Sequence, residues 1–142
     1  MIYTSVLNRS FSVYSGCHKQ PGPRLLANGK EIAPRDGALI PGSTAFADGP
    51  EETRRVIRDH VEKTKVDNIK LSMSGEEITE RLRAEDTTFD DESVAAAVEE
   101  AHSLGVRVCA HARSDESIMQ CLQYGVDMVC SSNIRVFRTT DP

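Results

Sequence analysis

The chain has 142 residues, of which 39% are hydrophobic and 27% are charged, and this is typical of a single globular domain. Acidic residues outnumber basic ones, 22 against 17, so the net charge is −5 and nucleic acid is not expected as a partner. No apolar run in the sequence approaches the roughly 20 residues that a membrane-spanning helix needs, and no membrane partner is expected.

The four cysteines form no C-x-x-C pair, which favours a reduced chain in the cytoplasm over a disulfide scaffold. Two of them, Cys109 and Cys130, lie in apolar runs and are expected to be small buried residues. Residues 1–30 contain basic side chains but no Asp or Glu, as mitochondrial transit segments do. The alternative for this region is an irregular lead-in over residues 1–21.

The first third of the chain predicts little regular structure. A cluster of Gly and Pro over residues 16–23 indicates turns. Residues 25–27 predict a short strand, which ends at Asn28 and Gly29. Residues 33–50 are rich in Pro and Gly and predict a long loop, and long loops in compact domains are often functional.

From Pro50 onward, helices and strands alternate. Helix starts are indicated by Pro50 behind Asp48, by Asp90 or Asp91, and by Ser114, because each combines a capping residue with acids in the first turn. The predicted elements are helix 50–65, strand 66–71, loop 75–89, a helix ending at Gly105, strand 106–111, a helix ending at Gly125, and strand 126–130.

This alternation predicts an α/β fold built from parallel β/α units. Three or four strands are too few for a closed barrel, which needs eight. A small doubly wound domain of the flavodoxin type would show the same order of elements, but it would leave a lysine within an apolar strand, Lys70, unexplained.

Lys70 is one of two candidate functional residues in these strands. An ammonium group within an apolar strand is costly unless it is paired or chemically altered. Lys70 is therefore a candidate Schiff-base lysine or a candidate for carbamylation. The alternative is a lysine on an edge strand whose side chain extends to solvent.

His111 is the second candidate. It ends a strand formed by Val, Cys and Ala residues, and the carboxyl ends of parallel strands are where α/β proteins carry their chemistry. A neutral imidazole in this position could bind a divalent metal. The alternative is a histidine that only hydrogen-bonds a loop.

Other polar residues give weaker signals. The helical residues His60 and His102 share a side with apolar neighbours and are expected to pack. Arg113 could bind an anion or lie exposed. Cys17 with His18 could bind a metal, but the pair lacks further ligands. Glu76 or Glu77 could be an acid or base, but a solvated acidic run is the default explanation. No G-x-G-x-x-G, P-loop, G-x-S-x-G or H-E-x-x-H motif is present.

Four segments taken together resemble the metal-dependent amidohydrolase superfamily, and most of all its branch of imidazolonepropionase-like and Xaa-Pro dipeptidase-like enzymes. The resemblance covers about residues 22–130. The segments are Gly-Pro-Arg-Leu-Leu-Ala-Asn-Gly from residue 22, Ala-Asp-Gly-Pro-Glu-Glu from residue 47, Asn-Ile-Lys-Leu-Ser-Met-Ser-Gly from residue 68, and residues 99–112 with Glu-Glu-Ala-His and Ala-His-Ala.

The resemblance implies the middle of a (β/α)8 barrel, about strands 3–6. It implies that Lys70 is the carbamylated lysine that bridges two metals, usually zinc, and that His111 is a metal ligand. At the position of a further family histidine this chain has Ser131. The H-x-H pair of the first strand and the catalytic aspartate of the eighth strand have no counterpart, so no catalytic residue is assigned.

The expected function is a metal-dependent hydrolase of carbon–nitrogen bonds, acting on a small amide, cyclic amide or dipeptide-like substrate and impaired as a fragment. The expected organisation is a lead-in over residues 1–21, a partial barrel over 22–132 and a frayed tail over 133–142. The alternative is a non-catalytic partial barrel or truncated gene product, whose exposed strand edges lead to self-association.

Overall fold

The computed structural model describes residues 3–4, 26–37, 42–75 and 85–130. These residues form seven strands, three α-helices and one π-helical turn. In chain order they are β1 (Tyr3–Thr4), β2 (Leu26–Ala27), β3 (Glu31–Ala33), β4 (Thr44–Phe46), α1 (Gly49–Asp59), the π-helical turn His60–Thr64, β5 (Asn68–Ser72), α2 (Asp91–Ser103), β6 (Arg107–His111), α3 (Asp115–Tyr124) and β7 (Met128–Cys130).

The main sheet has five strands in the order β4-β3-β5-β6-β7, and all of its pairs are parallel. Strand β1 pairs with β2 in a separate two-stranded sheet, also parallel. The predicted α/β class is confirmed, and the strand pairs β5–β6 and β6–β7 are each joined through a helix, as parallel neighbours require.

The order of the five strands is also that of a flavodoxin-like sheet. The helices distinguish the two folds, because a doubly wound sheet carries helices on both faces. Here α1 contacts α2 and α2 contacts α3, so the three helices lie side by side. They bury one face of the sheet in a single apolar core, which is the arrangement of a β/α barrel rather than of a doubly wound domain.

The helix termini follow the local sequence closely. The Asp90 side chain accepts a hydrogen bond from the Ser93 N–H and caps α2. The Ser114 side chain accepts one from the Ser117 N–H and caps α3. Helix α3 ends at Gly125, whose φ of 77° is the left-handed conformation that glycine adopts most easily. The predicted starts and ends of these two helices are therefore confirmed.

The loop prediction for residues 33–50 was wrong in part. Strand β4 lies within it and pairs in register with β3. Strand β3 was also missed, because each of these strands has only three residues and shows no clear alternation. The helix predicted over 50–65 is α1 followed by the π-helical turn, and the backbone then reverses at Lys65, whose φ is 57°.

An ion pair between Arg58 and Glu100 links α1 to α2. The Arg58 guanidinium donates two hydrogen bonds to the Glu100 carboxylate, from Nε to Oε1 at 2.6 Å and from Nη2 to Oε2 at 2.9 Å. The side chain of Glu100 is largely buried, while that of Arg58 is half exposed. This bidentate contact lowers the pKa of Glu100 below its ordinary value.

Within the described residues, no helix combines the length and the apolar character needed to cross a lipid bilayer.

Candidate functional site

The two faces of the main sheet differ in chemistry. Side chains alternate between the faces along each strand, so Ile69 and Leu71 of β5 contact the helices, while Lys70 and Ser72 lie on the opposite face. We call this opposite face the inner face, because it is the face that carries no helix among the described elements. It is the face that would line the interior of a complete barrel.

Lys70 and His111 share the inner face. Cys109 of β6 is the register partner of Lys70, and His111, two residues further along the same strand, is the register partner of Ser72. Partners in register point to the same side of a sheet. Lys70 and His111 therefore lie on the same face of neighbouring strands, two residues apart in register.

The register extends this arrangement to β7. His111 is aligned with Cys130, and Cys109 is aligned with Met128. One layer of the inner face thus contains Ser72, His111 and Cys130 at the carboxyl ends of the three strands. Cys130 is exposed, so the expectation that it is a small buried residue was wrong. Cys109 is buried, as predicted.

Lys70 does not lie on an edge strand. Strand β5 is the third of five strands, with β3 on one side and β6 on the other. The explanation of Lys70 as an edge-strand lysine reaching into solvent is therefore wrong. Its side chain is half-buried on the inner face.

Strand β3 adds a carboxylate that the sequence did not reveal. Ile32 is aligned with Leu71, so the preceding residue, Glu31, lies beside Lys70 on the inner face. Glu31 is buried, and its Oε1 accepts a hydrogen bond of 3.1 Å from the Thr44 hydroxyl. The signal was hidden because β3 has only three residues and Glu31 reads as a polar loop residue.

Beneath this layer the inner face remains polar. Asn68 is 0% exposed, and within the described part of the chain neither atom of its side-chain amide has a hydrogen-bond partner. The amide of Asn28 donates only a long hydrogen bond, 3.9 Å, to the Cys109 sulfur. Buried polar groups without partners cost folding stability, so the inner face is not packed like an apolar core.

The Cys109 thiol reports which charges lie near it. Burial raises its pKa, while the positive charge of Lys70 lowers it and Cys130 raises it further. Lys70 and Cys130 are the register neighbours of β6 on either side, Lys70 beside Cys109 and Cys130 beside His111. The structure contains Cys109, Cys121 and Cys130 as free thiols.

The loops after β5 and β6 are tied to the strand ends. The Thr88 hydroxyl donates to the Ser72 carbonyl at 2.9 Å, and the Met73 N–H donates to the His111 carbonyl at 2.9 Å. The Arg113 N–H donates to the Ser74 hydroxyl at 2.9 Å. These bonds fix the backbone around the layer that contains His111. The Arg113 side chain is half-buried there.

The two helical histidines lie elsewhere. The His60 ring is within hydrogen-bond distance of the carbonyl oxygens of Val56 and Lys30, at 2.8 and 3.1 Å, so it holds the end of α1 against the chain before β3. The His102 ring is exposed and lies 2.9 Å from the Asp127 carboxylate, rather than packing against apolar neighbours. The candidates Cys17, His18, Glu76, Glu77 and Ser131 lie outside the described residues.

The inner face carries several side chains that could bind a metal ion. Over residues 3–4, 26–37, 42–75 and 85–130, no group of three or more His, Cys, Asp and Glu side chains could hold one. Lys70 is not one of these four residue types, and it is the further candidate donor on the inner face. A neutral or carbamylated lysine, an imidazole and a thiolate are all donors that a divalent metal accepts, so Lys70, His111 and Cys130 on the inner face fit a metal ion by their chemistry.

No family model matches the sequence, and the search of curated proteins gives no match. Solved structures do match. A Xaa-Pro dipeptidase with bound methionine in the active site is 24% identical, with a TM-score of 0.76 over 90% of this chain and 35% of that chain. An amidohydrolase is 25% identical, with a TM-score of 0.71 over 83% and 33%. A prolidase-like protein from Bifidobacterium longum is 30% identical, with a TM-score of 0.65 over 83% and 27%.

The fold and these matches define a parallel α/β chain of the barrel type, with an incomplete barrel. The chain spans about a third of the length of the solved structures it matches, for example 35% of the Xaa-Pro dipeptidase. The likeness to a solved amidohydrolase and to the Bifidobacterium longum protein agrees with the resemblance to the amidohydrolase superfamily, at low sequence identity.

Proposed function

We propose that this chain carries part of the active site of a metal-dependent hydrolase of carbon–nitrogen bonds. The observation that carries the proposal is the common inner face of Lys70 and His111, on neighbouring strands at the interior of the sheet. The matched hydrolases, among them a Xaa-Pro dipeptidase and an amidohydrolase, support the reaction class.

Lys70 and His111 are the proposed metal-holding residues. Lys70 would bind as a carbamate: its neutral amine attacks carbon dioxide, an N–C bond forms, and the displaced amine proton passes to water. This converts a half-buried cation into a carboxylate, the kind of donor that divalent metals accept. A zinc ion at this position would supply Lewis-acid polarisation of a carbonyl and a more acidic water.

The chain's own residues have defined tasks in this proposal. His111 would bind the metal through its imidazole. Its backbone is held in place, because its carbonyl accepts a hydrogen bond of 2.9 Å from the Met73 N–H. Glu31 lies beside Lys70 in register and is held in place by the hydrogen bond from the Thr44 hydroxyl. No described residue is assigned as the proton carrier, so the catalytic residue stays open.

The proposed substrate is a small amide, cyclic amide or dipeptide-like molecule. Support comes from a matched Xaa-Pro dipeptidase that holds methionine and a matched prolidase complexed with N-methylphosphonate-L-proline. The experiment is zinc-dependent hydrolysis of a panel of Xaa-Pro dipeptides by the purified chain, with Lys70→Met and His111→Ala as variants. Hydrolysis that is equal in all three proteins would overturn the proposal.

Self-association is the second candidate, and it follows from the open edge of the sheet. Strand β7 ends the order of the described sheet, and no described strand pairs with its outer side. Three large apolar side chains of α3 and β7 are exposed: Met119 at 57%, Leu122 at 69% and Val129 at 42%. An exposed edge next to apolar side chains favours pairing with another chain.

The second candidate proposes a second copy of this chain on the β7 edge. Its test is light scattering of the wild-type protein and of Leu122→Glu, which places a charge in the patch without removing buried contacts. A concentration-dependent dimer that the variant abolishes supports it. A wild-type monomer at high concentration would rule it out.

A further inference from the structure

We infer that Cys130 is a third protein ligand of the metal held by Lys70 and His111. This inference rests on the proposed function and concerns the same site. The first observation is the register, in which Cys130 of β7 is the partner of His111 of β6. Neighbouring strands lie about 4.8 Å apart, so side chains in register on one face can reach a common ion.

The position along the chain is informative. The resemblance aligns a metal-binding histidine with Ser131, and serine is a poor zinc ligand. Cys130 directly precedes it, and a thiolate is among the side chains that zinc prefers. Cys130 therefore offers the layer of His111 a donor that serine at residue 131 does not supply.

Ser72 is the second observation that points to a ligand in this layer. Ser72 is 0% exposed and shares the register of His111 and Cys130 on the inner face. Its hydroxyl group has no hydrogen-bond partner among the described residues. A buried hydroxyl on this layer is suited to hydrogen-bond a metal-held group, as outer partners in metal sites do.

The two other thiols in the described part of the chain are excluded by their placement. Cys109 is aligned with Lys70, two residues before His111 on the same strand. Cys121 of α3 is buried in the core, where its thiol is 3.5 Å from the Met73 sulfur. Lys70, His111 and Cys130 together give three protein ligands, the number found in catalytic zinc sites that keep one open position.

Cobalt(II) titration of the full 142-residue chain, under reducing and oxygen-free conditions, tests the inference. Thiolate ligation gives a near-ultraviolet charge-transfer band, which does not depend on activity. We expect stoichiometric cobalt with this band in the wild type and in Cys109→Ser. We expect Cys130→Ser to lose the band and to bind cobalt at least about 10-fold more weakly, since weaker changes around metal sites already cost this much.

Cys130→His serves as the rescue variant, because it exchanges one good ligand for another. It should retain stoichiometric cobalt without the thiolate band. Cys130 is exposed, so neither substitution removes core packing, and circular dichroism checks the fold. Cobalt bound without a thiolate band, or a band that survives Cys130→Ser, overturns the inference but leaves the proposed function standing. If no variant and no wild-type protein binds cobalt, both are overturned.

Discussion

Lys70 lies one pleat below His111 on the neighbouring parallel strand, and the two side chains share the inner face of the sheet. This relationship turns two isolated sequence signals into one candidate site. It also explains why a lysine is found in an otherwise apolar strand, since the face it occupies is polar from Asn68 to Ser72.

Removing the amine of Lys70 should weaken metal binding. Lys70→Met keeps the aliphatic stem but loses the donor, and we expect zinc affinity to fall at least about 10-fold, because changes outside the ligand shell already cost 10–100-fold. Lys63→Met is the matched control, since Lys63 is exposed on the π-helical turn and pairs only with Asp59. Calorimetric zinc titration measures both variants. Equal losses in the two would contradict a role for Lys70.

The ion pair between Arg58 and Glu100 predicts a pH dependence of stability. The native pKa of Glu100 is lowered from 4.5, first of all by its hydrogen bonds to Arg58. The stabilisation is therefore complete above 4.5 and is lost as the pH falls through the lowered native value. Glu100→Gln should be less stable than the wild type at neutral pH, and the difference should shrink in acid.

Urea unfolding of the wild type and Glu100→Gln over a pH series measures this effect. Glu99→Gln is the control, because Glu99 is exposed and pairs with Arg54 rather than with Arg58. A difference between the wild type and Glu100→Gln that stays constant down to strongly acidic pH would be inconsistent with this ion pair.

Two glycines in the left-handed region should respond differently to alanine. Gly29 has a φ of 64°, and a Cβ there would lie 2.9 Å from Cγ1 of Val66. Gly105 has a φ of 74°, and a Cβ there would meet nothing within 4 Å. Gly105→Ala should cost about 1–2 kcal/mol for the backbone conformation alone. Gly29→Ala should cost more, because Val66 is buried and must move. Similar unfolding midpoints for the two variants would refute the predicted contact.

Asn68 should be dispensable for folding. Its amide is buried, and none of its atoms has a hydrogen-bond partner among the described residues. Asn68→Leu has nearly the same shape and should raise the free energy of unfolding by about 1 kcal/mol, since an unsatisfied buried polar group costs about 1–3 kcal/mol. Thermal and urea unfolding test this. Asn28→Leu should raise the free energy of unfolding by less, because it also removes a hydrogen bond to Cys109.

The sequence predicted the second half of the fold well, because the signals there are local. Asp90, Ser114 and Gly125 mark helix ends through backbone geometry that each residue type favours on its own. The strands β3 and β4 were missed, since three residues are too few for a period to be recognised.

The candidate site was predicted only in part. Lys70 and His111 stand out because a polar residue in an apolar strand is unusual by itself. The contribution of Glu31, Ser72 and Cys130 depends on which residues of neighbouring strands are aligned. Register between strands is a long-range property, so no single stretch of sequence contains it.

The most direct measurement of the central claim is the zinc content of the purified chain, compared with those of Lys70→Met and His111→Ala after equal exposure to zinc and removal of free metal. His102→Gln is the control, because His102 is an exposed histidine away from the inner face. We predict stoichiometric zinc in the wild type and in His102→Gln, and strongly reduced zinc in the other two. Wild-type protein that retains no more zinc than His111→Ala would contradict the account.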